Sequence, residues 1–271
     1  MQKLQDLVWL WMIVGFSVLP AIRQWLVQMR RKLLIAKIEQ ERGTKVITMI
    51  HRQSSGILGS LFVRYINLDD SERITQAIRE AGDRPIDFLM HTPGGLVIAA
   101  EQIARALHAH KAGVTVVVPE YAMSGGTLLA LAADHILLDQ NAMLGPIDPQ
   151  LNSTPASAFM KVIRVKDLNS VSDQTIMMAD MAEKATNQIR QTAYNLLRGK
   201  LGDDKAIQLA TVLTEGRWTH DYPLHVEQLV EMGLPVITDI PAPFWELLGL
   251  SHAAQTQVMR KVSDQKAAGQ R

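Results

Sequence analysis

Hydrophobic positions follow three different rhythms along this chain. Between Asp6 and Arg23 the run LVWLWMIVGFSVLPAI, residues 7–22, carries no charge. At about 1.5 Å per residue it falls slightly short of a roughly 30 Å hydrocarbon layer, but a flanking arginine can snorkel, so the run reads as a transmembrane anchor. Trp9, Trp11 and Trp25 suit the two interfaces, while Arg23, Arg30, Arg31 and Lys32 outweigh Lys3. That bias predicts a single-pass protein whose bulk is cytoplasmic. No small-x-small cleavage pattern follows the run, which argues against a removed signal peptide. In the second rhythm, residues 23–43, apolar and basic groups recur at helical spacing, predicting a helix at or near the bilayer surface that ends at Gly43.

From residue 44 the period switches between two and about 3.6. KVITMIHR reads as a strand, RYINLDDSERITQAIREAG as a strand and a helix capped from the Asp69, Asp70, Ser71 cluster, and PIDFLMHTPGG as a buried strand ending in a glycine loop. LVIAAEQIARALHAH, GVTVVVPEYA, SGGTLLALAAD and HILLDQNAMLG continue the alternation as helix, strand, helix, strand. Such alternation predicts an α/β fold with a parallel sheet and helical crossovers. The expected organisation is an anchor with its basic helix over 1–43, one catalytic-sized domain over 44–250, and a polar tail over 251–271.

Composition narrows the function. With 28 basic and 27 acidic residues the net charge is +1, and aromatic residues make up 5%, which provides neither the field nor the stacking surface that nucleic acid requires. The absence of cysteine removes disulfides, thiolate metal sites and a cysteine nucleophile. No motif calls for a metal or cofactor, and no Walker loop is present, so energy-driven unfolding of a substrate would need a separate partner.

Two motifs fall at the C-terminal ends of successive predicted strands: HTPGG at 91–95 and YAMSGG at 121–126. That edge of an α/β sheet is where ligands bind. Ser124 precedes a helix, where it is either an ordinary N-cap or a nucleophile beside the positive end of the helix dipole. The backbone of Gly94, Gly95 and Gly125 is placed to form an oxyanion hole. His91 ends its strand near the same edge and is a packing or cleft residue. His135 begins the next strand, roughly a helix length away from Ser124.

In order, TPGG, AMSGG, LGPIDPQ and EGRWTHDYPLHVEQLVEMGLP resemble the Clp-type serine peptidase superfamily of the crotonase fold, and within it the membrane-associated serine dehydrogenase proteinase family. The similarity runs from Lys45 to Pro243. It implies a Clp protease/crotonase-like α/β fold, acyl transfer by Ser124, a polypeptide substrate and a homo-oligomer. One position departs from the Clp proteolytic subunit: Asp148 stands where that subunit carries a histidine. His220, in WTHDYP, offers a base with Asp221 as its orienter. A lysine is the other solution, since burial lowers its pKa into a useful range. Lys184 lies in a helix resembling the lysine-bearing helix of stomatin-cleaving Ser-Lys peptidases, after Met177, Met178 and Met181. Lys166 resembles the lysine of bacterial signal-peptide peptidases. The favoured expectation is a Ser124–Lys184 dyad, with Lys166 as the alternative base. A thioester-processing crotonase and a catalytically silent scaffold are the rival classes.

Overall fold

A computed structural model describes residues 18–51 and 65–251. Residues 7–17 of the apolar run expected to cross the membrane and residues 252–271 of the polar tail lie outside the described residues, and no described helix is long and apolar enough to cross a membrane. The chain divides into two compact units: residues 1–43, 52–64 and 241–271 form one, residues 44–51 and 65–240 the other.

In the first unit, α1 (Leu19–Arg42) starts with a proline in its first turn and stops at Gly43. The stop has a local cause: Gly43 sits at φ 67°, the left-handed conformation that glycine adopts without steric cost. Leu34 and Ile38 are buried, whereas Leu19, Ile22, Trp25, Leu26, Met29 and Leu33 are exposed on another face. Residues 242–251 are helical, and the Arg42 guanidinium lies 5.7 Å from the Phe244 ring centroid.

The second unit is a parallel five-stranded sheet with crossover helices. Its strands are β1 (Lys45–Ile50), β2 (Ile86–His91), β3 (Val114–Val118), β5 (His135–Leu138) and β10 (Val236–Ile237), in the spatial order β1-β2-β3-β5-β10. Every strand-to-strand pairing in it is parallel. β2 is buried at all six positions, as a central strand covered on both faces should be. Between the strands run α2 (Leu68–Ala81), α3 (Val97–His108) and α4 (Gly125–Ala132). α3 buries Ala99, Ala100, Ile103, Ala104 and Leu107, a small-residue stripe that lets it pack closely. Phe88, Met90, Val116 and Leu129 are fully buried in the shared core, at about 1.5–3 kcal/mol for each large side chain.

Two expectations are corrected in detail. The strand foreseen before α2 reduces to a single bridge, Ile66 with Gly95. The cap of α2 is Asn67, not the 69–71 cluster: its side chain accepts from the Asp70 amide while the Asp70 carboxylate accepts from the Asn67 amide, a reciprocal capping box.

A smaller sheet joins β4 (Tyr121–Ala122), β6 (Met143–Leu144) and β9 (Leu224–His225). A hairpin of β7 (Gln150–Leu151) and β8 (Thr154–Pro155) turns through Asn152 and Ser153, both at positive φ. Beyond it come α5 (Ala156–Val165), the 29-residue α6 (Asp173–Leu201), α7 (Asp203–Thr214) and α8 (Val226–Glu231).

Candidate active site

Ser124 occupies the N-cap position of α4 but does not cap it: its side chain accepts no hydrogen bond from the helix. Its backbone stands at φ 51°, ψ −115°, a conformation that costs a non-glycine residue on the order of 1–3 kcal/mol. An ordinary capping serine adopts β-region angles and satisfies an amide. Ser124 does neither, and a strained serine on a sharp strand-to-helix turn is the geometry that exposes a nucleophile.

The strain is enforced by close packing of two loops. Thr92 pairs with Ala122 as an isolated bridge, with the Met123 amide donating to the Thr92 carbonyl at 2.9 Å. On the other side, the Ile66 amide donates to the Gly94 carbonyl and the Leu96 amide to the Ile66 carbonyl, each at 2.8 Å. Gly95 is the position that admits no side chain: a Cβ there would lie 2.3 Å from the Ile66 carbonyl oxygen. Among the described residues the Gly95 and Gly125 amides have no acceptor, and a Cβ on Gly125 would lie 3.7 Å from the Gly95 nitrogen. Both N–H groups lie beside Ser124 and remain available to an acceptor. Gly94 is corrected out of that set, because its amide donates to Thr92 Oγ1 at 3.1 Å.

Ser124, Gly95 and Gly125 border a cleft of about 350 Å³, whose facing wall contains Asp148, Gln150 and His220. α6 contributes Ala185, Gln188 and Ile189. Asp148 is 2% exposed, and its Oδ1 lies 2.9 Å from His220 Nδ1 while Oδ2 accepts from Gln150 Nε2 at 2.9 Å. A carboxylate only accepts, so the Nδ1 proton of His220 is directed at Asp148.

The segment bearing Asp148 is held against α4 itself. Thr127 Oγ1, in the first turn of α4, donates within 2.9 Å of the Ala122 and Gly145 carbonyls and accepts from the Gly145 amide at 3.0 Å. The Ile147 amide then donates to the Leu213 carbonyl at the end of α7. From α7 the chain turns through Gly216 at φ 73°, where a Cβ would meet the Ser157 side chain. His220 follows in a turn closed by the Tyr222 amide donating to Thr219, between Trp218 and Tyr222, whose rings stack at 5.6 Å. His220 therefore pairs with Asp148, across 72 positions, and not with the adjacent Asp221.

Neither expected lysine base reaches the cleft. Lys184 is 68% exposed and ion-paired with Asp180 at 2.6 Å. Of the apolar neighbours expected to desolvate it, Met177 and Met181 are exposed, whereas Ala179 and Ala182 are buried along with Thr186 and Ile189. Lys166 is exposed at the C-terminal end of α5. His91 is buried under Tyr121, with Nδ1 2.9 Å from Glu120 Oε2, and does not border the cleft. His135 starts β5 at the opposite strand end from Ser124. Among the described residues no cluster could hold a metal ion.

Lys200 is a buried lysine that sequence reasoning passed over. Its Nζ donates to the Leu131 and Ala133 carbonyls, at the C-terminal end of the helix whose other end carries Ser124. Burial lowers its pKa to about 8, with the Asp134 charge opposing. It caps the negative end of that helix dipole.

A serine on a strained turn, an imidazole backed by a buried carboxylate and paired free amides define acyl-transfer machinery. The same class follows from comparison: the model of ClpP-like SDH-type serine proteinases matches residues 1–265, and the chain belongs to that family of serine peptidases. The uncharacterized protein MJ0137 of Methanocaldococcus jannaschii is 48% identical over 250 residues, covering 91% of this chain and 87% of that one. A second protein of that organism, MJ1495, is 49% identical over 224 residues, covering 82% and 76%. Membrane protein NfeD1b of Bacillus subtilis is 27% identical over 129 residues, 45% of this chain and 26% of its own. Among solved structures, the membrane-bound stomatin-specific protease 1510-N in complex with a substrate peptide superposes with a TM-score of 0.46 at 20% identity, covering 72% of this chain and 75% of that one.

Proposed function

We propose that the protein is a membrane-associated, ATP-independent serine endopeptidase in which Ser124 is the nucleophile and His220, oriented by Asp148, is the general base. The observation that carries this reading is the joint presence of Ser124, His220 and Asp148 on one cleft, with the His220–Asp148 contact at 2.9 Å. His220 Nε2 takes the hydroxyl proton as Ser124 Oγ bonds to the scissile carbonyl carbon, and the Gly95 and Gly125 amides receive the oxyanion. The same proton passes to the departing amine as the C–N bond breaks. Water, deprotonated by His220, then releases the acyl group and restores Ser124.

The substrate class is an unstructured or membrane-proximal polypeptide. α1 supports the membrane part: Leu19, Ile22, Leu26, Met29 and Leu33 repeat at intervals of three and four, all exposed, with Arg23, Arg30 and Lys32 flanking the stripe. Apolar contact with acyl chains plus attraction to anionic headgroups suits such a face. The uncharged run at 7–22 would continue it as the anchor. Exposed Val165, Leu168, Met177 and Met181 support a homo-oligomer with α5 and α6 at the subunit boundary.

The test is degradation of a fluorescein-labelled casein by the detergent-solubilised full chain without nucleotide. Cleavage by wild type and none by Ser124→Ala is the expected result. Equal cleavage by both proteins, or none by either in any oligomeric form, would overturn the assignment.

A further inference from the structure

A second histidine–carboxylate pair, unused by the proposed chemistry, is buried beside the glycine loop. His51, 3% exposed at the end of β1, has Nε2 3.1 Å from Asp70 Oδ2 and Nδ1 2.9 Å from Thr92 Oγ1. Thr92 is fully buried, so this Asp-His-Thr set has no substrate access and is no second nucleophilic centre. Its geometry leads elsewhere. Thr92 Oγ1 also accepts the Gly94 amide at 3.1 Å, so one hydroxyl ties the loop to His51 Nδ1 while the Nε2 proton is directed at Asp70. The series Asp70, His51, Thr92, Gly94 is an unbroken run of polar contacts that ends at the residue before the Gly95 amide.

Asp70 holds the other side of the same loop. Its carboxylate accepts from the Asn67 amide at 3.3 Å in the capping box that fixes the start of α2. One residue earlier, Ile66 binds the Gly94 carbonyl and the Leu96 amide. Arg73 neutralises the second carboxylate oxygen at 2.6 Å. One carboxylate thus anchors both the side-chain tether through Thr92 and the backbone tether through Ile66, on either side of Gly95.

We propose that His51 is a positioning residue of the peptidase site, clamping the glycine loop between Asp70 and Thr92 so that the Gly95 amide faces the oxyanion. This rests on the serine-peptidase reading for its catalytic consequence, but the clamp itself is a structural claim. Because an oxyanion donor acts mainly in the transition state, loosening it lowers kcat with KM retained.

The test uses the full-length chain with Thr92→Val, Thr92→Ser and His51→Gln. Thr92→Val keeps the volume and removes the hydroxyl, whereas Thr92→Ser restores it. Two readouts are taken on each folded variant: peptide turnover with a boronate transition-state analogue, and hydrogen exchange of residues 92–96. The expected result is an about tenfold or greater fall in kcat for Thr92→Val and His51→Gln, unchanged KM, boronate affinity falling in parallel, and exchange of 92–96 accelerated at least tenfold. Thr92→Ser should recover most of each. Wild-type exchange in Thr92→Val and His51→Gln would overturn the clamp, as would a loss that Thr92→Ser shares in full. If the wild type fails to turn over peptide, the peptidase reading falls, and the exchange measurement still decides for or against the clamp.

Discussion

The molecule contains two histidine–aspartate pairs of nearly equal length, His220–Asp148 at 2.9 Å and His51–Asp70 at 3.1 Å, in unlike surroundings. In the first, the imidazole borders an open cleft shared with Ser124. In the second, the other ring nitrogen is consumed by Thr92 within a fully packed interior. A carboxylate–imidazole contact is therefore not a catalytic mark by itself; what the far nitrogen faces decides whether the pair moves protons or holds a loop. Burial of the Asp70 carboxyl opposes ionisation, yet the hydrogen bond and charge of His51, the Asn67 amide and Arg73 outweigh it and keep the pKa below the ordinary aspartate value. A depressed carboxylate stabilises the fold above its unfolded-state pKa of 3.8, and that contribution disappears as pH falls through the folded value.

The contrast can be broken most severely at the open pair. Ser124→Ala should lower turnover by about 10⁴-fold or more, with residual rate from the amide pair alone. His220→Gln and Asp148→Asn should each cost about 10²–10⁴-fold in kcat with folding retained, since the first removes the base and the second its orienter. Steady-state kinetics on a quenched peptide measures all three. A wild-type rate in Asp148→Asn would show that the 2.9 Å contact does no orienting.

Smaller effects sharpen the comparison from the structural side. Gly95→Ala places a Cβ against the Ile66 backbone, which cannot yield as a flexible side chain does, and should lower stability by about 2–3 kcal/mol by denaturant titration. Lys200 gives a pH dependence of the same sign as that of Asp70, but in an alkaline window. Its folded pKa of about 8 lies below the ordinary 10.5, so between those values the unfolded chain binds the extra proton and stability rises with pH. Lys200→Met should flatten that rise in denaturant midpoints measured from pH 8 to 10. Lys184→Ala should change turnover less than about twofold, because an exposed i,i+4 ion pair contributes little.

Much of this architecture is legible in local pattern. β2, β3, α3 and α4 follow from periodicity, and the two glycine motifs mark the sheet edge because each needs only its own few residues to define a turn. The histidine–aspartate pair on the cleft is not local. Asp148 and His220 meet only because Thr127 pins the Gly145 segment to α4 and α7 returns the chain through Gly216. Asp148 stands where a histidine was expected and meets one from another loop instead. The exposure of Lys184 has a definable reason. Met177 and Met181 do share its helix face, but this part of α6 docks through Ala179 and Ala182 and leaves the two methionines exposed. Apolar neighbours identify a face; the packing partner decides whether that face is buried.

The measurement closest to the central claim is the rate of fluorophosphonate labelling, with the adduct located by mass spectrometry, in wild type, His220→Gln and Lys184→Ala. The account predicts an adduct on Ser124 at equal rates in wild type and Lys184→Ala, and labelling slowed at least about 100-fold in folded His220→Gln. Undiminished labelling of His220→Gln, or its loss in Lys184→Ala, would contradict the histidine base.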